Sequence, residues 1–475
     1  MKICLVAEGC YPYVIGGVSG WINNLITSFP EYEFIMLAII SDRSVSGKFK
    51  YTLPENLIEV HEVYLNDKEY VTRKSKKYNK ARLSNENLKA LESLLIGRDT
   101  DWERLTRLFQ SHKISLDQLL MGPDFLEASM RNYELKHGEI VFSDFLWTMR
   151  SMYLPLFLSM QSDIPRADIY HCVATGYSGI MGGMAKILYP ESRLIISEHG
   201  IYTREREEEI IKSDWIQSIY KNIWIEQFKK MSLLAYDKAN VVTSLYARAR
   251  ELQIELGCKE SKTIITPNGI DPARFANIPQ KDPDDQYINV GAVLRVTPIK
   301  DVKTMIMAFG YAKAIEPKLK LWIMGPTDED PDYAKECFTL VDDMKIKDVV
   351  FTGRINTSEY IGKMDFTILT SISEGQPLTI LEGYGAKKPV IATDVGNCRG
   401  LIYGEGDNFG QAGILTHIMN VEEIKDAIVY LAQHPDVCRQ YGENGYNRFM
   451  SKYTIQDMKN TYADIYKELS TVKER

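Results

Sequence analysis

Residues 3–40, ICLVAEGCYPYVIGGVSGWINNLITSFPEYEFIMLAII, decide the fold. Ile3 to Ala7 is a short apolar run stopped by Glu8-Gly9, the length of a buried strand. Val18 to Phe29 reads as a helix, and Phe34 to Ile40 is a second apolar run. A strand, a helix and a second strand of this kind form a βαβ unit, the building block of a parallel sheet.

Further along the chain the rhythm is first interrupted and then resumes. Residues 67 to about 150 are rich in Lys, Arg, Asn, Glu and Leu, with Leu88, Leu91, Leu94 and Leu95 at helical spacing. They predict a helical insertion in the first domain. Strand-like runs return at 169–173, 193–197 and 240–243. The polar stretch Pro279 to Asp285 has the composition of a linker. After it, runs at 288–294, 319–324, 348–351, 365–369 and 389–392 restart the alternation. The chain is therefore read as α/β, with two doubly wound domains and a boundary near 275–285. The first domain covers 1–280 and the second 281–453. A last helical segment, 454–475, has no strand after it and is a candidate for crossing back to the first domain. Ligands of such sheets sit beyond the carboxyl ends of the strands. Two domains facing each other are expected to form a cleft there.

The composition fits this reading. A chain of 475 residues exceeds one ordinary core, and 45% hydrophobic with 25% charged residues is normal for a soluble globular protein. The net charge of −7 argues against non-specific nucleic-acid binding, so no nucleic-acid partner is expected. The longest apolar runs fall far short of the roughly 20 residues that span a bilayer. The opening apolar run is also too short for a secretory leader. The protein is expected to be cytosolic, with any membrane association coming through partners. The seven cysteines include no CxxC pair and read as buried, reduced thiols.

Several segments carry candidate chemistry. In Glu374-Gly375-Gln376-Pro377-Leu378-Thr379-Ile380-Leu381-Glu382, Pro377 favours a helix start at that position. The N–H groups around Leu378 and Thr379 would then form an anion site. A plain βα turn with two solvated carboxylates is the alternative. A glycosidase pair is disfavoured, because eight helical residues put the two glutamates roughly 12 Å apart, wider than the 5–9.5 Å such pairs need. Arg295 and Lys300 follow the run 288–294 and could neutralise a diphosphate leaving group without a metal. Solvated cations at a helix start are the bland reading. Gly16-Gly17 lets a backbone approach a ligand closely, or simply turns the chain. His199 stands at the end of an apolar run and is the stronger of two candidate histidines, the other being His171. Asp328-Glu329-Asp330 matches a metal-binding pattern but is read as acids at a helix start. Asn268-Gly269 is read as a structural turn.

Together these pieces resemble the family 4 retaining glycosyltransferases of GT-B fold. The resemblance rests on the glycines at 16–17, Glu198-His199-Gly200, Pro267-Asn268-Gly269-Ile270-Asp271, Arg295 with Lys300, and the two glutamates 374 and 382. The longer stretches AEGCYPYVIGGVSGW, SEHGIYTRERE and TSISEGQPLTILE are similar to the cytosolic transferases of Pel exopolysaccharide synthesis. The resemblance implies a catalytic set of His199, Arg295, Lys300 and Glu374. Arg295 and Lys300 would hold the donor diphosphate, Glu374 the sugar hydroxyls, and His199 the donor sugar at the reaction face. Glu382 would take the ribose hydroxyls, and the N–H groups of Leu378 and Thr379 the phosphate. Gly17, with Gly16 beside it, would approach the diphosphate. Arg354 and Ile355 would flank the base, and Gly375 belongs to the same substrate-binding loop. The resemblance further implies a UDP-sugar donor with UDP-glucose favoured, a glycan acceptor, membrane-bound Pel synthase partners, and neither a cofactor nor a metal. A nucleotide-binding scaffold subunit and a phosphorolytic enzyme of similar fold are the competing readings.

Overall fold

The computed structural model describes residues 1–66, 82–97, 99–214, 216 and 218–471. The chain divides into two compact units. Unit 1 comprises residues 1–265 and 465–475, and unit 2 comprises 266–464.

Unit 1 is built on seven parallel strands among the described residues. They are β1 (Lys2–Glu8), β2 (Glu33–Ile40), β3 (Leu57–Tyr64), β4 (Ile169–Cys172), β5 (Arg193–Glu198), β6 (Val241–Ser244) and β7 (Thr263–Ile265). Their order is β3-β2-β1-β4-β5-β6-β7, so the winding reverses between β1 and β4. The opening strand, helix α1 (Gly17–Ser28) and β2 form the expected βαβ unit, with Lys2 opposite Glu33 and Glu8 opposite Ile39.

The helical insertion follows β3. It consists of α2 (Asn85–Leu95), α3 (Trp102–Gln110), α4 (Leu116–Leu120), α5 (Pro123–Lys136) and α6 (Phe142–Gln161). Residues 67–81 of the expected insertion lie outside the described residues. Ser84 and Asp101 cap α2 and α3 by accepting the backbone N–H groups of Asn87 and Arg104. Leu91, Leu94, Leu105, Phe109, Met149 and Phe157 are buried in one core with Cys4, Val6, Ile35 and Leu37 of the sheet. The insertion is thus part of the layer that covers the sheet. The remaining unit 1 helices are α7 (Tyr177–Leu188), α8 (Tyr202–Lys212), α9 (Ser218–Lys238) and α10 (Ala247–Glu255).

Unit 2 contains β8 (Ile288–Val293), β9 (Leu319–Met324), β10 (Val349–Gly353), β11 (Phe366–Leu369), β12 (Val390–Thr393) and β13 (Gly413–Thr416). All pair in parallel in the order β10-β9-β8-β11-β12-β13, with the reversal between β8 and β11. Its helices are α11 (Val302–Ile315), α12 (Pro331–Asp343), α13 (Leu378–Gly385), α14 (Cys398–Tyr403), α15 (Val421–Gln433), α16 (Pro435–Lys452) and the first part of α17 (Ile455–Thr471), whose residues from 465 on belong to unit 1. Along β12 the side chains alternate between two cores. Ile391 joins Phe309 and Ile428 on one face, while Val390 and Ala392 join Tyr384 and Phe449 on the other.

The sequence reading and the structure differ in a few places. The division between units falls at Ile265/Thr266, ahead of the polar stretch 279–285. That stretch is an ordered lead-in to β8, in which Lys281 pairs with Asp365 at 2.7 Å and donates to the Tyr287 carbonyl at 2.6 Å. Strands β3, β7 and β13 were not anticipated. β3 is an edge strand whose apolar residues alternate with charges, and β7 and β13 are too short to announce themselves. All seven cysteines are free thiols, five of them buried. No described helix is long and apolar enough to cross a membrane.

Candidate active site

The loop between β11 and α13 carries Glu374 and Gly375, and neighbouring segments pin it from three sides. Thr370 donates its hydroxyl to the carbonyls of Lys300 (3.0 Å) and Asp301 (3.1 Å), and the Ile372 N–H reaches the Ile299 carbonyl at 2.9 Å. From the β12 side, the Thr393 hydroxyl donates to the Ser371 carbonyl at 2.6 Å and the Asn397 N–H to the Gly375 carbonyl at 2.8 Å. From the 266–271 segment, the Asn268 N–H donates to the Gln376 side-chain oxygen at 2.9 Å. Gly396 fits only as glycine: its φ is +53°, and a Cβ there would lie 2.3 Å from the Glu374 carbonyl oxygen.

Within this frame the Glu374 carboxylate accepts from the Lys300 ammonium at 2.5 Å and from the Ser371 hydroxyl at 2.6 Å. The two charged side chains are only 17% and 11% exposed, so water screens their pairing weakly. Lys300 ends a short 3-10 turn after β8, and Asp301 beyond it adopts a left-handed backbone with φ 46°. The pair thus joins the loops after β8 and β11, at the winding reversal where α/β sheets bind ligands.

Arg295 occupies the same β8 loop but has a separate partner. It is 56% exposed and donates to Glu329 at 2.7 Å. Its loop is backed by the β9 loop: the Val296 N–H reaches the Pro326 carbonyl at 3.0 Å, and a Cβ on Gly325 would strike the Leu294 carbonyl. Asp330, next to Glu329, caps α12 by accepting the Tyr333 N–H. No group of three or more His, Cys, Asp or Glu side chains among the described residues is placed to hold a metal ion.

Helix α13 begins at Leu378 with Pro377 as its cap, one residue later than the sequence predicts. The N–H groups of Leu378 and Thr379 are therefore in the first turn, where no helical acceptor exists. Glu382 lies one turn further on, largely buried, with Oε1 3.3 Å from Arg274. Burial pushes its carboxyl up from the ordinary value, and Arg274 pulls it back. Arg354 and Ile355 follow β10, the first exposed and the second half-buried.

The other predicted residues lie in unit 1. Gly16 caps α1 in extended backbone and Gly17 begins the helix. Both are exposed, with nothing within 4 Å of where a Cβ would stand. No neighbour within the chain requires glycine at either position. His199 follows β5, its ring edge-on to Trp21 at 4.4 Å. Its Nε2 is out of solvent and lacks a hydrogen-bond partner, and burial pulls its pKa down to about 4. His171, deeper in β4, bonds to the Ser197 hydroxyl and the Tyr466 hydroxyl at 2.7 Å each. Burial, aided by His199, pulls its pKa to about 3. Glu198 is a buried acceptor for Tyr236, Gln253, Thr175 and the Tyr202 N–H, which makes it a structural anchor.

Sequence reasoning missed Ser371, Glu329, Gly396, Trp21 and Arg274, all of which hold the predicted residues in place. Except for Ser371, three residues before Glu374, each acts through a partner distant in the chain, which local pattern does not reveal. Trp21, Ser371 and Glu329 lie inside stretches singled out for other residues, and Arg274 lies three residues past Asp271.

Comparison with known proteins agrees with this architecture. The model of a family described as a domain of unknown function, DUF3492, matches residues 1–261. The model described as glycosyl transferases group 1 matches residues 286–434. The trehalose synthase of Thermococcus litoralis is 24% identical over 266 residues, covering 51% of this chain and 60% of the synthase. The chain thus spans less than two thirds of that relative's length. Among solved structures, HepE of Anabaena in complex with UDP and glucose superposes with a TM-score of 0.61 at 14% identity, covering 98% of this chain and 100% of HepE. Sucrose-phosphate synthase from Thermosynechococcus elongatus gives 0.62 at 14% identity, covering 99% of both chains. The chain belongs to the DUF3492 family, and it has the GT-B fold with a glycosyl transferases group 1 segment in its second unit.

Proposed function

We propose that the chain is a metal-independent, retaining glycosyltransferase that moves a hexose from a UDP-sugar, with UDP-glucose favoured, to a growing exopolysaccharide, in the manner of PelF. The observation that carries this reading is the desolvated Lys300–Glu374 pair at the switch point of the second sheet. HepE, of the same fold, has been crystallised with UDP and with UDP-glucose, which supports a uridine nucleotide donor here.

In this mechanism Lys300 and Arg295 neutralise the charge that gathers on the diphosphate as its bond to the sugar C1 breaks. Fixed charges aimed at developing charge supply the largest share of such catalysis. Hydrogen bonds to charged groups contribute about 1.5–3 kcal/mol each, against about 0.3–1 for the α13 dipole, so the side chains dominate. Glu374 orients the sugar hydroxyls and Glu382 the ribose. His199, neutral at physiological pH, lines the face of the sugar. The acceptor hydroxyl attacks C1 from the face that the phosphate leaves, and its proton passes to the departing phosphate oxygen. The protein works on the cytosolic side with membrane-bound Pel synthase partners.

The test is calorimetric titration with UDP, GDP, ADP and UDP-glucose in the presence of EDTA. UDP and UDP-glucose alone should bind. A requirement for a divalent ion would move the reading to Asp328 and Asp330, and tight binding of another nucleotide would overturn the donor.

A further inference from the structure

The segment Pro267-Asn268-Gly269-Ile270-Asp271, read from sequence as a turn, aims a side chain at Glu382. A Cβ on Gly269 would sit 2.1 Å from the Thr454 carbonyl oxygen, so only glycine lets the segment lie against α17's approach. Ile270 then bonds both ways across this contact: its N–H donates to the Tyr453 carbonyl and its carbonyl accepts from the Ile455 N–H, each at 3.0 Å. Asp271 caps the 3-10 turn Pro272–Phe275 by accepting the Ala273 N–H at 2.9 Å.

Phe275 fixes this turn onto α13. It is buried in the core with Leu381 and Tyr384, and a Cβ on Gly385 would lie 2.5 Å from its ring. Gly385 is three residues beyond Glu382, on the same helical face. The ring thus docks beside Glu382, and the residue before it, Arg274, meets the carboxylate. The Arg274 guanidinium lies 5.7 Å over the Phe275 ring and 3.3 Å from Glu382 Oε1.

We infer that Arg274 is a positioning residue: it holds Glu382 by one carboxylate oxygen and so presents the other to the paired hydroxyls of the nucleotide's ribose. The inference rests on the proposed reading of Glu382 as the ribose contact. Two adjacent hydroxyls need a fixed, ionised acceptor, because a protonated carboxyl gives up acceptor capacity. Arg274 is the charged group facing Glu382, and it opposes the burial that favours the protonated form.

The experiment is calorimetric titration of the full chain and its Arg274→Ala, Arg274→Gln, Arg274→Lys and Glu382→Gln variants with UDP and 2′-deoxy-UDP from pH 5.5 to 8.5, with thermal melts as a folding check. The wild type should prefer UDP. Arg274→Ala and Arg274→Gln should lose roughly 10-fold in UDP affinity or more, the scale of a hydrogen bond to a charged group. They should also lose most of the preference over 2′-deoxy-UDP, and the acid limb of UDP binding should move to higher pH. Arg274→Lys should recover part of each effect. A wild-type preference and pH profile in folded Arg274→Ala and Arg274→Gln, with Glu382→Gln impaired, overturns the positioning role alone. UDP binding that is absent in the wild type, or intact in Glu382→Gln, overturns the reading of the site itself and the role of Arg274 with it.

Discussion

The Lys300 ammonium lies 2.5 Å from the Glu374 carboxylate, and the two arrive from loops that end adjacent strands of one sheet. Each is therefore the other's counter-ion. Leaving either alone in this poorly hydrated position is costly. Lys300→Ala and Glu374→Ala should each lower turnover by roughly two to three orders of magnitude, the scale of one lost electrostatic contact. The double variant should fall little further, because the two residues act as a unit. Wild-type turnover in either single variant would count against the site.

The glycines separate packing from ligand contact. Gly396→Ala places a methyl group against the Glu374 and Gly375 carbonyls in a left-handed backbone, so stability should drop by about 1–3 kcal/mol and the loop should lose its order. Gly17→Ala meets open space, so its melting temperature should stay unchanged while UDP affinity falls. Equal melting losses in the two variants would contradict the division.

Arg295 is engaged by Glu329 on an exposed surface, where an ion pair is worth about 0–1 kcal/mol. Glu329→Gln should free the guanidinium and raise UDP affinity by roughly 2–5-fold, read by calorimetry. A fall in affinity would instead make Glu329 part of the binding surface.

Stability should decline in mild acid. His171 and His199 have folded pKa values of about 3 and about 4, against 6.5 in the unfolded chain. The unfolded state binds more protons between these limits. Their contribution is therefore complete above about pH 6.5 and is lost as pH falls through 4 and then 3. A pKa difference of one is worth about 1.4 kcal/mol, so several kcal/mol are at stake, most of it at the deeper His171. Urea midpoints measured from pH 8 to pH 4.5 should fall steadily below 6.5, and a flat profile would refute the assignment.

The sequence made the class of fold readable because the strands of both sheets are buried on two faces. Ile3 to Ala7 and Phe34 to Ile40 are nearly continuous apolar runs for that reason. β3 escapes notice because an edge position tolerates the polar side chains of Glu59, His61 and Glu62. In the candidate site, Lys300 and Glu374 are legible as charges in loops after strands, and Glu382 as an acid within the helix that follows. The partner of Glu382 is not. Arg274 and Glu382 are 108 residues apart, and nothing local marks them as neighbours. The helix start at Leu378 differs from the expected Pro377 because proline here serves as the cap, a distinction set by its ψ of 111°.

Unit 1 is made of two stretches of chain, and its late stretch supplies Tyr466, whose hydroxyl meets His171 and whose ring packs edge-on against Phe29 at 5.4 Å. On the ribosome, the early stretch emerges without that tyrosine and waits while all of unit 2 is translated, roughly 10–40 s at ordinary elongation rates. Until α17 is made, the early stretch lacks the Tyr466 hydroxyl at His171 and the Tyr466 ring at Phe29. A chain cut short ahead of α17 therefore leaves one wall of the first unit's core unfilled, although every strand of its sheet has been made.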